Sequence, residues 1–105
     1  MLEKINLKQA VAGVANLYKY HEIGRLNGNV LTVAKVENRT LDFHVHKDSD
    51  ELFYVIEGRF VLETEDGAIE MCEGDCVIVP KGISHRPVVT ELVKVMLMEL
   101  EGTLS

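Results

Sequence analysis

The chain has 105 residues, 47% of them hydrophobic and 27% charged, which predicts one folded domain over residues 1–105 rather than a disordered chain. Its formal net charge of −6, from 17 acidic and 11 basic residues, argues against a nucleic acid or an anionic membrane surface as partner. Since no apolar run approaches the roughly 20 residues of a membrane span, we expect a cytoplasmic protein. Two cysteines, Cys72 and Cys76, are too few for a disulfide framework and are expected to stay reduced.

The first element in chain order is a predicted short amphipathic helix at about residues 6–15. Asn6 is a plausible N-cap, and apolar residues recur behind it at helical spacing, namely Leu7, Ala10, Val11 and Val14. From about residue 17 onward the pattern changes to period two. The dipeptide Asn27-Gly28 then separates two such stretches, which is a strong signal for a type I′ β-hairpin.

The remainder of the chain is a succession of predicted strands with short polar, glycine or proline turns between them. The strands lie approximately at residues 30–36, 41–46, 52–56, 59–64, 68–71, 76–79, 85–89 and 92–100. Many short strands at this spacing, with one short helix, predict an all-β fold of the sandwich or barrel type.

The last strand, at residues 92–100, is apolar on both faces. Val93, Val95 and Leu97 share one face, while Leu92, Met96 and Met98 share the other. Because one face of a sheet normally suffices for the interior, we expect the outer face to be covered by the N-terminal helix or by a second subunit. We therefore predict a homodimer.

A candidate metal site begins at His44 and His46. If this segment is a strand, both imidazoles project from one face with α-carbons about 6.6 Å apart, so one ion can bridge them. Glu51 follows across a polar turn, where a paired antiparallel strand would return its carboxylate to the same face. Two nitrogens and one oxygen suit first-row divalent metals. His85 opens a later strand, although spacing alone does not bring it to the other three residues.

At these residues the sequence resembles the cupin family. The family's first motif (a histidine, any residue, a histidine, three or four residues, a glutamate, six residues and a glycine) is matched by His44, His46, Glu51 and Gly58. Its second motif (a glycine, five residues, a proline, any residue, a glycine, two residues and a histidine) is matched by Gly74, Pro80, Gly82 and His85. Two positions depart from the pattern: Asn38 replaces a glycine, and Val89 replaces an asparagine.

The resemblance implies a double-stranded β-helix, or jelly-roll, barrel with a short N-terminal helix. It also implies that one divalent transition-metal ion (iron, manganese, nickel or zinc) is bound by His44, His46, Glu51 and His85. Protonated imidazoles do not bind metals, so metal should be lost as the pH falls through the histidine range near about 6.5. By strand parity with Glu51, the side chains of Phe53 and Val55 should line the interior. His21 lies outside both motifs and is expected to be a half-exposed strand residue.

The functional expectation is a metal-binding protein that takes a small polar metabolite, as ligand or substrate, into the barrel. As an enzyme it would be a metal-dependent dioxygenase or a sugar isomerase or epimerase, both of which occur among cupins; no catalytic residue stands out. The alternative is a non-catalytic module that binds or senses a small molecule. The fold does not decide between these functions.

Overall fold

A computed structural model describes residues 2–103 of the chain, which form a short helix and nine β-strands. The helix is α1 (Leu7–Ala12), and the strands are β1 (His21–Leu26), β2 (Asn29–Val36), β3 (Arg39–Thr40), β4 (Glu51–Glu57), β5 (Arg59–Thr64), β6 (Gly67–Cys72), β7 (Cys76–Val79), β8 (His85–Val89) and β9 (Val93–Leu100). Strand bounds agree closely with the predicted periodicity except in one segment, residues 41–46.

The strands form two antiparallel sheets. One has the order β1-β2-β9-β4-β7, and the other has the order β3-β8-β5-β6. The main hydrophobic core contains residues of both sheets, namely Ala34, Phe53, Val55, Phe60, Leu62, Met71, Val79, Val89, Val93, Val95 and Leu97. Side chains alternate along β4 and β9 so that odd-numbered positions enter this core. The predicted all-β double-stranded β-helix with a short N-terminal helix is confirmed.

The β1–β2 hairpin turns at Asn27-Gly28, as the dipeptide predicts. Both residues have positive φ angles, 49° for Asn27 and 79° for Gly28. Leu26 and Asn29 pair on either side of the turn. A type I′ turn requires positive φ at both central positions, which asparagine and glycine tolerate better than other residues.

The helix α1 covers part of the outer face of the five-stranded sheet. The Asn6 side chain accepts a hydrogen bond from the Gln9 backbone N–H at 3.0 Å, which confirms the predicted cap. The helix ends at Ala12, earlier than the predicted residue 15. A second buried cluster, Val11, Val14, Val33 and Ile56, joins the helical segment to the sheet, with Tyr54 and Met96 packed against it. The helix thus covers outer apolar side chains of β4 and β9.

The predicted strand at residues 41–46 is wrong. Within this segment His44 makes an isolated bridge to His85, and the nearest strand is the two-residue β3. The Leu41 N–H donates to the Pro87 carbonyl at 3.3 Å, but proline has no N–H to donate in return. A continuous ladder with β8 is therefore interrupted at Pro87. The predicted hairpin that returns Glu51 beside the histidines is also wrong, because β4 pairs with β7 and β9.

Candidate metal centre

The structure brings together all four side chains of the predicted metal site. One potential ligand atom from each of His44, His46, Glu51 and His85 lies within 4.8 Å of the others. Two of these residues open strands: Glu51 begins β4, opposite Val79 of β7, and His85 begins β8. The other two lie in the irregular segment before β4. The histidines of that segment still face one another, with ring centroids 5.1 Å apart, although the segment is not a strand.

Two of the imidazoles are oriented by backbone carbonyls. The Nδ1 atom of His44 lies 3.0 Å from the Asp42 carbonyl oxygen, and Nδ1 of His85 lies 2.9 Å from the Ile83 carbonyl oxygen. A carbonyl only accepts, so each Nδ1 must carry the proton that it donates. In His44 the remaining nitrogen, Nε2, then keeps its lone pair, which is the usual arrangement of a metal-binding histidine. Nε2 of His85 instead donates a proton to the Glu51 carboxylate at 3.0 Å, and a bound metal ion would replace that proton.

The Glu51 carboxylate is the point on which the other groups converge. It is 3% exposed, and its Oε1 atom lies 3.0 Å from Nε2 of His85 and 3.4 Å from Nε2 of His46. Burial lowers the pKa of His85, but hydrogen bonds to Glu51 and to the Ile83 carbonyl, together with the Glu51 charge, raise it overall. A carboxylate this deeply buried requires a cationic partner.

The donor set fits a first-row divalent metal. Three imidazoles and one carboxylate are ligands that iron(II), manganese(II), nickel(II) and zinc(II) all accept. Because carbonyls hold the Nδ1 atoms of His44 and His85, the Nε2 atom of each is the one left for an ion, which would displace the proton between His85 and Glu51. The residues therefore form a group that could bind one metal ion.

A cavity of 430 Å³ adjoins this group. Its wall is mostly apolar and includes Phe53, as predicted, together with Val36, Leu41, Phe60, Pro87, Val89, Val93, Val95 and Leu97. The Phe53 ring also meets the His85 ring edge-on at 6.1 Å between centroids. Polar wall residues that the sequence reasoning left out are Tyr18, Tyr20, Arg39 and Thr103. Three of these precede the first motif and the fourth follows the last strand, so motif spacing gave no signal for them.

Glu99 is a further residue at the site that sequence reasoning missed. It is 1% exposed, and its Oε2 atom lies 3.9 Å from Nε2 of His46. Neither carboxylate oxygen accepts a hydrogen bond from an N–H or hydroxyl group among residues 2–103. Burial, the charge of Glu51 and a hydrogen bond shared with the Glu51 carboxyl raise the pKa of Glu99 to about 8. A signal was available, because Glu99 shares strand parity with the core residues of β9.

The remaining sequence predictions concern residues outside the cluster. Asn38 adopts a left-handed conformation with φ of 47°, so it can replace the family's glycine as expected. His21 is an exposed residue of strand β1, which agrees with the expected half-exposed strand position. Cys72 and Cys76 are exposed free thiols. Val89 is buried and apolar where the family pattern has an asparagine.

Comparison with known proteins identifies the family. The family model of the cupin domain matches residues 30–100. The chain belongs to the cupin family. Protein YdbB of Bacillus subtilis (strain 168) is 32% identical to this cupin over 82 residues, which are 77% of this chain and 72% of YdbB. The family match includes both motifs and the whole candidate metal centre.

Solved cupin-fold structures superpose closely on this cupin. A cupin-2 domain protein from Shewanella frigidimarina gives a TM-score of 0.83 at 29% identity, covering 90% of this chain and 91% of that one. Protein NMB1881 from Neisseria meningitidis gives 0.82 at 31% identity, covering 94% and 100% respectively. Within residues 2–103, this cupin has no helix long and apolar enough to cross a membrane.

Proposed function

We propose that this cupin binds one divalent transition-metal ion and a small organic ligand beside it. The metal ligands in this proposal are His44, His46, Glu51 and His85. The observation that carries it is the convergence of their ligand atoms within 4.8 Å, in a group where carbonyls orient two of the imidazoles. Carbonyl-oriented histidines are typical of metal sites.

The ion, when bound, would supply a Lewis acid for a ligand oxygen or a centre for dioxygen chemistry. The protein's own residues position the ligand and exclude water. Phe53 packs against His85 and closes one side of the cavity. Burial, followed by the charge of Glu51, raises the pKa of Tyr20. The Tyr20 hydroxyl in the cavity wall is therefore protonated at neutral pH and can donate a hydrogen bond to the ligand.

The cavity supports a ligand with an apolar body and a polar group directed at the ion. Its 430 Å³ volume falls in the range of about 300–1,000 Å³ found for small-molecule sites. Aliphatic and aromatic side chains form most of the wall. A sugar would leave several hydroxyls facing these apolar groups, which costs free energy for each unpaired hydroxyl. Of the catalytic classes expected for cupins, the lining therefore favours a dioxygenase over a sugar isomerase.

The metal assignment is tested by elemental analysis of the purified protein and of two variants. After dialysis at neutral pH the wild-type protein should retain close to one divalent metal ion per chain, and His44→Ala should lose it. His21→Ala is the matched control, because it removes an exposed histidine far along the sequence from both motifs. Retention of the ion by His44→Ala, or its equal loss from His21→Ala, contradicts the assignment.

Catalysis is separated from simple binding by dioxygen consumption. The iron-loaded protein is assayed with a panel of thiols, diketones and flavonols, and ligand binding is followed in parallel by the change in Phe and Tyr fluorescence. A dioxygenase consumes dioxygen with one of these compounds. Binding without consumption across the panel supports the non-catalytic sensing module instead.

A further inference from the structure

Glu51 and Glu99 lie opposite each other on neighbouring strands. The β4–β9 register pairs Phe53 with Leu97 and Leu52 with Met98, so the next position along places Glu51 across from Glu99. Both residues face the interior, at 3% and 1% exposure. Like charges directly opposite one another are destabilising, and burial increases the cost. This carboxylate pair is therefore relieved either by a proton on one member or by a cation beside both.

The protein's own lysines and arginines do not supply that cation. Among residues 2–103 the ion-pair contacts of Glu51 and Glu99 are to imidazoles alone. Within the same described range no N–H or hydroxyl group donates to either oxygen of Glu99, and the hydrogen bond open to it is one shared with the Glu51 carboxyl when a proton lies between them. A buried polar group without a partner is rare in folded proteins and points to an ion or ligand that completes it.

The distances among the four motif residues fit a shared coordination shell, and Glu99 is adjacent to it. Donor atoms bound to one octahedral ion at about 2.1 Å lie roughly 3.0 Å apart when adjacent and roughly 4.2 Å apart when opposite. Oε1 of Glu51 lies 3.0 Å from His85 Nε2 and 3.4 Å from His46 Nε2. Oε2 of Glu99 lies 3.9 Å from the same nitrogen of His46. Glu99 thus lies beside His46 but outside the group whose ligand atoms are mutually within 4.8 Å, so its carboxylate would have to move towards an ion to join the shell.

We propose that Glu99 is a fifth protein ligand of the metal ion. The inference rests on the proposed metal function and adds to it a residue that belongs to neither cupin motif. Three neutral imidazoles and two carboxylates balance the charge of a divalent ion, which four ligands with one carboxylate do not. If such an ion took six ligands, these five residues would leave one position for the polar group of a small ligand.

Metal affinity of matched variants tests the proposal. Mn²⁺ binding is measured from the electron paramagnetic resonance signal of the free ion, and Zn²⁺ binding by competition with a chelating dye. Glu99→Gln keeps the shape of the side chain and should weaken both affinities by about tenfold or more. Glu57→Gln is the control, because Glu57 is exposed on β4 and pairs with Lys94. Its affinities should equal those of the wild type.

The outcomes separate the two proposals. A wild-type protein that binds neither Mn²⁺ nor Zn²⁺ refutes the metal function and the fifth ligand together. If the wild type binds and Glu99→Gln binds equally well, the fifth ligand is overturned while the four-residue centre stands. A crystal structure of Mn²⁺-loaded wild type serves if the variant does not fold. A Glu99 oxygen at about 2.0–2.6 Å from the ion supports the proposal, and one beyond about 3 Å overturns it.

Discussion

Raising the pH should destabilise the metal-free protein. The buried Glu99 has its pKa raised to about 8 from its ordinary value of 4.5, so the folded state holds a proton that the unfolded chain releases. Stability from this group is therefore fully present below about pH 4.5 and is lost as the pH rises through about 8. The raised pKa of His85 also lowers stability as the pH rises, because the folded protein holds a proton on His85 more tightly than the unfolded chain does.

The size of the effect follows from the two pKa values of Glu99. Between about pH 5.5 and about pH 8.5, its contribution to the free energy of unfolding should fall by about 3 kcal/mol. Because Glu99 is 1% exposed, water can do little to stabilise its ionised carboxylate in the folded protein. Small domains have total stabilities of about 5–15 kcal/mol, so a loss of this size is readily measured.

The assay is urea unfolding of chelator-treated protein at the two pH values. The wild type should lose about 3 kcal/mol or more on going to the higher pH, and Glu99→Gln should lose about 3 kcal/mol less than the wild type does. Equal pH dependence in the two proteins would refute the reasoning. The reasoning would also be refuted if the wild-type protein became more stable as the pH rises over this range.

Three further predictions concern the turn at Gly58, the metal and the oligomer. A Cβ atom at Gly58 would lie 2.6 Å from the Leu92 carbonyl oxygen, whereas Gly74 has a similar positive φ and open space. The melting temperature of Gly58→Ala should therefore be well below that of Gly74→Ala. Equal melting temperatures would contradict this explanation. Bound metal should be released on dialysis from about pH 7.5 to about pH 5.5, because imidazoles must be neutral to bind; full retention at the lower pH would count against histidine ligation. Light scattering should show a homodimer, and a mass of 11.8 kDa would rule it out at the concentration used.

Local pattern predicted most of the fold, because period-two alternation and turn residues act within a few positions of one another. The Asn27-Gly28 turn and the bounds of β5, β7 and β8 are of this kind. The strand predicted at residues 41–46 is absent, because a strand needs a partner that forms hydrogen bonds along its whole length. Pro87 lies more than forty residues away and cannot return the hydrogen bond of Leu41.

The candidate site was predictable as far as its motifs extend. His44, His46, Glu51 and His85 have a recognisable spacing, and they converge, although Glu51 is placed by the pairing of β4 with β7 and β9 and not by a hairpin with the histidine segment. Glu99 lies outside any motif; its interior orientation follows from strand parity with the core residues of β9, but its place beside Glu51 follows only from the β4–β9 register. Which strands pair is decided by packing over the whole chain. The position of a carboxylate across from Glu51 therefore could not be inferred from local spacing.

The backbone bridge between His44 and His85 has a consequence for variants of the site. Each residue donates its N–H to the other's carbonyl at 3.0 Å, so the spacing of the two side chains is independent of the imidazoles themselves. Removing the ring at position 44 should leave a hole of imidazole shape beside an undistorted neighbour. Free imidazole in the buffer could then enter the hole and restore the missing nitrogen, which makes the bridge a scaffold for chemical rescue.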